Sequence, residues 1–168
     1  MKLILHNYRR CPFCIRTRIV LELKKVPYEI VEEPLRVWTD WMLENIKDKR
    51  VPVLRVIEGE KETVMQESNE INLFLDKNFG EIEFTPEEGS KEYEEMKNWW
   101  NWCADVLKPQ IDLYKYGLNL EFDAERNKKD EADLREILQK LEDVLSGKEY
   151  LLEDRLTLAD IAIIPFIR

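Results

Sequence analysis

The switching of apolar period along the first 78 residues constrains this chain more than any other feature. Lys2 to His6 is an apolar run of strand length, and after a polar loop Pro12 to Lys25 carries Ile15, Ile19, Val20 and Leu23 at helical spacing. Val26 to Val31 reads as a second strand, and Trp38, Trp41, Met42 and Ile46 form the stripe of a second helix. Val51 to Ile57 and Lys61 to Met65 flank Glu58-Gly59-Glu60 as a hairpin, and a helix over Ser68 to Lys77 closes the series. Strand, helix and strand in succession build a parallel pair with a helix laid across it, and the hairpin adds an antiparallel edge. So many elements in so few residues leave room for one small mixed sheet covered by helices.

This βαβαββα order is the thioredoxin-like α/β pattern. The rest of the chain reads differently. Residues 79–90 hold Gly80, Pro86, Gly89 and a run of acids and read as a linker between a thioredoxin-like domain at 1–78 and an all-α domain at 91–168. In that second domain Tyr93, Met96, Trp99, Trp100, Cys103, Val106 and Leu107 make one helical stripe. Leu134, Ile137, Leu138, Leu141 and Leu145 make another, ended by Gly147, and Thr157-Leu158-Ala159-Asp160 resembles a capping box with Asp for Glu.

Charge separates the two halves and narrows the partners. Residues 1–78 hold 14 Lys/Arg against 13 Asp/Glu, residues 79–168 hold 12 against 22, and the whole chain carries −9. That sign opposes a sequence-independent grip on phosphate backbones, so no nucleic-acid partner is expected. The N-terminus has no stretch of signal-peptide length, and the longest apolar run, Leu156 to Ile167, is interrupted by Asp160 and Pro165. A cytoplasmic protein with no membrane partner is expected. Three cysteines, two of them three apart, suit a reducing compartment with one reactive pair rather than a disulfide scaffold.

Cys11-Pro12-Phe13-Cys14 lies where the first strand hands over to the first helix, with Pro12 at the first helical position. Cys11 is then the capping residue, and its sulfur faces the positive end of the helix, a setting that lowers a thiol pKa. Residues 1–25 add Lys2, Arg9, Arg10, Arg16, Arg18, Lys24 and Lys25 against Glu22 alone, a field that also favours the thiolate. Cys14, one turn on, is within reach of a disulfide. A CxxC also occurs as a metal or plain structural pair, but only Cys103 and His6 remain as further soft ligands, in no paired spacing, so no metal site is expected. Cys103 fits its helix stripe as core, and His6, the only histidine, reads as structural or solvated.

Two further segments carry chemistry. Val51-Pro52 opens a strand and is a candidate cis peptide that would present Val51 to an extended peptide, an ordinary strand-start proline being the alternative. Ser68 reads as the cap of a helix whose N-terminus suits a carboxylate, with Glu67 beside it for an ammonium; simple capping is the alternative. A thiolate, a peptide-pairing edge and a clamp for carboxylate and amine together match glutathione as cosubstrate.

The segments RRCPFCIRTRIVL, VPVL, Glu67 to Ile71 and LTLADIAIIPFIR resemble the glutathione transferase superfamily, specifically cysteine-type bacterial members close to omega-class transferases and two-domain glutaredoxins. The resemblance implies that Cys11 is catalytic and Cys14 resolving. It implies that Val51, beside Pro52, pairs with the glutathione backbone and that Glu67 and Ser68 hold its γ-glutamyl end. Tyr8 and Arg10 stand where they are candidates for thiol activation. The activity it implies is glutathione-dependent thiol–disulfide oxidoreduction with a small disulfide, the CPFC pair favouring dithiol chemistry because many relatives have Ala or Ser at the second position. A transferase or reductive deglutathionylating enzyme acting on electrophiles, and a non-enzymatic interaction module, are the alternatives. The helical half looks shorter than the family's, so Leu156, Leu158, Ile161, Ile163, Ile164, Phe166 and Ile167 are expected to leave an apolar face that a homodimer covers.

Overall fold

The computed structural model describes residues 1–34, 37–117, 124–152 and 154–167. Arg168, the last residue of the LTLADIAIIPFIR segment, and residues 118–123 of the second domain lie outside them. The chain forms two compact units, Met1–Phe84 and Thr85–Arg168.

In the first unit β1 (Lys2–Asn7), α1 (Pro12–Leu23), β2 (Glu29–Glu32), α2 (Asp40–Asn45), β3 (Val53–Glu58), β4 (Lys61–Gln66) and α3 (Ser68–Asn78) follow in order. The sheet runs β2-β1-β3-β4, with β1 parallel to β2 and antiparallel to β3, and β3 antiparallel to β4. Leu5 at the centre faces Ile30 on one side and Leu54 on the other. Leu5, Leu21, Leu54, Ile71 and Leu75 are fully buried between the sheet and its helices.

The second strand starts three residues later than its apolar pattern suggests. Val26 instead ends α1: its N–H donates to the Leu21 carbonyl and that of Lys25 to Glu22, with Lys25 at φ 55°. This is the paired closure of a Schellman motif, which answers the helix's last carbonyls before the strand begins. Similarly β3 begins at Val53, because Pro52 has no N–H to give a ladder. Helix α2 is a short piece opened by Thr39, whose Oγ1 accepts from the Met42 N–H at 3.4 Å.

Two buried polar pairs tie distant parts of this unit together. Glu33, wholly buried, accepts from the Thr39 N–H at 2.8 Å and hydroxyl at 2.7 Å and meets His6 Nδ1 at 2.6 Å. His6 is therefore structural and not solvated, stacked on Trp41 at 4.4 Å. Lys24 Nζ lies 2.6 Å from Asp76 Oδ1, both inaccessible, and also donates to the carbonyls of Asp76 and Ile82. The Asp76 carboxylate accepts from the Phe84 N–H at 3.0 Å. Residues 79–84 thus dock on the first unit, and Phe84 is buried. Gly80 sits at φ 66° where a Cβ would come within 3.0 Å of the Lys24 side chain, so only glycine passes there without strain.

The second unit holds α4 (Lys91–Trp102), a π-helical turn (Cys103–Leu107), α5 (Lys108–Gly117), α6 (Ala124–Leu145) and α7 (Leu158–Ile167). Met96, Trp100, Cys103 and Leu107 are buried as the stripe requires, but Val106 is exposed. The π turn is the reason: its wider winding carries Leu107 back onto the core face and turns Val106 out. Trp100 Nε1 donates to the Leu158 carbonyl at 3.2 Å and Cys103 Sγ to that of Ala162 at 3.6 Å, so Cys103 is core. Along α6 only Leu141 of its stripe is fully buried. Helix α7 runs through Pro165 with Leu158, Ile161, Ile163 and Phe166 inside. Ile164 and Ile167 remain 39% and 47% exposed and line, with Leu141, Leu145, Tyr150 and Leu156, an apolar cleft of about 470 Å³.

Candidate active site

Helix α1 is opened by Cys11, extended at φ −69° and ψ 121°, with Pro12 first in the helix. The turn before it is fixed by the Cys11 N–H donating to the Tyr8 carbonyl at 2.9 Å. Cys11 is half-buried and its thiol points at the Val51 carbonyl, 3.8 Å away. Cys14 is fully buried, and its sulfur accepts from the Tyr8 backbone N–H at 3.4 Å.

The two thiols divide the proton unequally. Cys11 is lowered to about 6 chiefly by a hydrogen bond from the Cys14 thiol; burial opposes this, and the N–H groups of Cys14 and Phe13 and the charge of Arg16 add to it. Cys14 is pushed up, by its bond to Cys11 first and burial second. Cys11 is thus a thiolate near neutral pH and Cys14 its proton-bearing donor. The acting cation is Arg16, whose Nη1 donates to Asn69 Oδ1 at 2.8 Å and which lies over the Phe13 ring, rather than Arg10, which is exposed on the loop. Tyr8 meets the pair through its backbone and not its hydroxyl. Lys24 is held by Asp76 and does not add the free positive charge that its sequence position suggests.

The bond between Val51 and Pro52 is cis. Val51 packs its side chain against the buried cluster of Met42, Ile46 and Val53, leaving its carbonyl toward Cys11. The residue that precedes α3 is Glu67, not Ser68; Ser68 is the first helical residue and is buried. Glu67 makes no side-chain cap and stands at φ 65° and ψ 111°, a conformation that costs a non-glycine residue of order 1–3 kcal/mol and clusters at ligand sites. Its carboxylate lies 3.3 Å from Arg50 Nη2, and Arg50 also meets Asp48 at 2.8 Å. Phe13, Arg50, Val51, Pro52, Gln66, Glu67 and Ser68 line one open cleft of about 390 Å³. The four residues singled out for peptide binding therefore share a surface. Phe13, Arg50 and Gln66 were not foreseen, although each adjoins a residue that was.

Among the described residues no group of three His, Cys, Asp or Glu is placed to hold a metal ion, and no helix is long and apolar enough to cross a membrane.

The glutathione S-transferase N-terminal domain family matches residues 5–83 and the C-terminal domain family residues 107–168. The chain belongs to the glutathione S-transferase superfamily. It is 32% identical over 75 residues to pyrimidodiazepine synthase of Drosophila melanogaster, covering 45% of this chain and 31% of that protein. It is 32% identical over 93 residues to a probable glutathione transferase omega-2 of Caenorhabditis briggsae, covering 55% of this chain and 35% of that one. The chain therefore spans about a third of the length of these curated relatives. Among solved structures, a glutathione transferase family member from Pseudomonas fluorescens pf-5, with two glutathione bound, superposes with a TM-score of 0.82 at 21% identity over 99% of this chain and 76% of that one. That likeness confirms the fold: a mixed four-stranded sheet with helices, then a helical domain.

Proposed function

We propose that the chain is a glutathione-dependent thiol–disulfide oxidoreductase whose nucleophile is Cys11. One observation carries the reading: the lowered thiol of Cys11 lies 3.8 Å from the Val51 carbonyl, at the edge of the cleft that Val51, Glu67 and Ser68 line. The cleft takes glutathione, its cysteinyl peptide groups along Val51, its γ-glutamyl carboxylate at the open N–H groups that start α3, and its ammonium at Glu67. Residues 1–78 supply this site, and residues 91–168 form a separate helical domain.

The thiolate attacks the glutathionyl sulfur of a mixed disulfide. A Cys11–glutathione disulfide forms as the old S–S bond breaks, and the departing thiolate takes a proton from water. A second glutathione, as thiolate, then attacks the glutathionyl sulfur, releasing glutathione disulfide and restoring the Cys11 thiolate. In the resting pair Cys14 keeps its proton and hydrogen-bonds the thiolate. Once Cys11 is in the mixed disulfide that bond is gone, and Cys14 is the internal alternative to the second glutathione: its thiolate attacks the Cys11 sulfur, releasing glutathione as a Cys11–Cys14 disulfide forms. The glutathione reductant and three free cysteines suit the cytoplasm. A second copy of the chain is the occupant we assign to the apolar face of Ile164 and Ile167.

The test is reduction of a small glutathione mixed disulfide by the purified protein. Cys11→Ser lowers the rate at least about a thousandfold, as loss of a nucleophile does, while Cys14→Ser keeps a substantial part. Full activity in Cys11→Ser would overturn the reading.

A further inference from the structure

Eleven residues around the nucleophile, Tyr8 to Arg18, contain four arginines and no acid, in a chain of net charge −9. Four cations elsewhere in the first unit meet carboxylates: Lys2 with Glu29, Lys24 with Asp76, Arg50 with Asp48 and Glu67, Arg55 with Glu62. Of the cations that do not, Arg9 and Arg10 are the two that adjoin Cys11 in the chain. Both are exposed, and among the described residues neither guanidinium meets a carboxylate. Their loop is held through its backbone instead. The Arg9 N–H donates to Glu32 Oε1 at 2.6 Å, and the Arg9 carbonyl accepts from Arg18 Nη2 at 2.9 Å. Glu32, which holds this loop, accepts from neutral donors with both oxygens, the other from Asn7 Nδ2 at 2.5 Å.

The sheet order places this loop relative to the cleft. Glu32 ends β2, at one edge of the sheet, whereas the cleft is built where β3 begins and β4 ends, on the other side of β1. Cys11 follows β1 and stands between them. A mixed disulfide seated with its glutathione half in the cleft has its other half outside it, and the arginine loop lies on the opposite flank of Cys11 from the cleft.

We infer that the second substrate is an anion: the group joined to glutathione carries a carboxylate or similar negative charge that Arg9 and Arg10 attract to the sulfur under attack. This rests on the reading of Cys11 as the nucleophile. The exchange itself is unchanged, one S–S bond forming as another breaks, and the departing thiolate carries the negative group away.

The test uses three glutathione mixed disulfides whose other half ends in a carboxylate, a hydroxyl or an ammonium, each rate divided by that with free dithiothreitol to remove intrinsic reactivity. The normalised carboxylate rate exceeds the ammonium rate roughly tenfold at low salt, the lower range of electrostatic steering, and the gap closes at 1 M salt, where the Debye length is about 3 Å. R9Q/R10Q loses the preference and R9K/R10K keeps it. Alkylation supplies a readout independent of turnover: the ratio of iodoacetate to iodoacetamide labelling at Cys11, located by mass spectrometry and compared with free glutathione, is raised in the native protein and falls in R9Q/R10Q. A ratio and a rate order unaltered by R9Q/R10Q, or an order favouring the ammonium as the overall charge of −9 would dictate, overturns the inference. Absence of turnover with the alkylation preference intact overturns the oxidoreductase reading and supports the anion inference.

Discussion

Among the described residues, helix starts of two kinds stand out. Helices α2 and α4 are closed by their own side chains, Thr39 Oγ1 accepting from the Met42 N–H and Ser90 Oγ from that of Tyr93 at 3.1 Å. Ahead of α7 it is the entering chain that is closed: the buried Asp160 carboxylate reaches back to the N–H of Leu151 at 2.9 Å and to both the N–H and hydroxyl of Thr157 at 2.8 Å. Helix α3 starts at Glu67 with no side-chain cap, and α1 at Cys11, where only the sulfur itself faces the N–H groups of Phe13 and Cys14. A helix leaves its first N–H groups without intrahelical partners, and an anion placed there is stabilised. Where the helix only supports the fold, the chain supplies the acceptor. Where it borders the cleft, the donors are left for a thiolate at α1 and, in the proposed function, for a ligand carboxylate at α3.

Three experiments press on that contrast. The largest effect falls on a closed start. Asp160→Ala strands three buried donors and lowers unfolding free energy by about 2–4 kcal/mol, read from urea unfolding, while Cys11 alkylation keeps its rate in the folded fraction. Next is the open start of α1. Cys11 alkylation rises as pH rises through about 6 and is flat by about pH 8, because a lowered thiol is ionised above its own value. At pH 7 its thiolate fraction exceeds that of a thiol at 9.0 roughly 90-fold, but lower basicity returns most of the gain, and the net advantage is only about fourfold. A midpoint near 9 would show that α1 gives its cap residue no help. The smallest effect belongs to α3. Glu67→Gly relieves the backbone at φ 65° and raises stability by about 1 kcal/mol, yet weakens glutathione binding several-fold in calorimetry. Tighter binding in that variant would mean that the open start of α3 serves no ligand.

The fold and the site were legible in the sequence to the extent that neighbours in the chain encode them. Strand and helix order follow from apolar period, and Cys11-Pro12, Val51-Pro52 and Glu67-Ser68 each mark a helix start or a cis bond within two residues. The errors mark where distant groups decide. His6 finds Glu33 across 27 positions and Lys24 finds Asp76 across about fifty, and no local pattern announces either pairing. Lys24 consequently read as free charge near the thiol. Capping preference points to Ser68 as the cap of α3, one residue late, because the backbone of Glu67 overrides it. A constant helical period puts Val106 in the core because it cannot represent a π turn.

The buried Lys24–Asp76 pair also determines where the chain can be divided. Its ammonium uses the Ile82 carbonyl and its carboxylate the Phe84 N–H, so the closing bonds of the first unit lie beyond the end of α3 at Asn78. A fragment trimmed to the last helical residue would keep both charges and lose two of the groups that make their burial tolerable. One that runs through Phe84 keeps all of them. The acidic, glycine-marked stretch that looks disposable between two domains begins as a seal on the first, and excision points chosen from helix ends alone would cut through it.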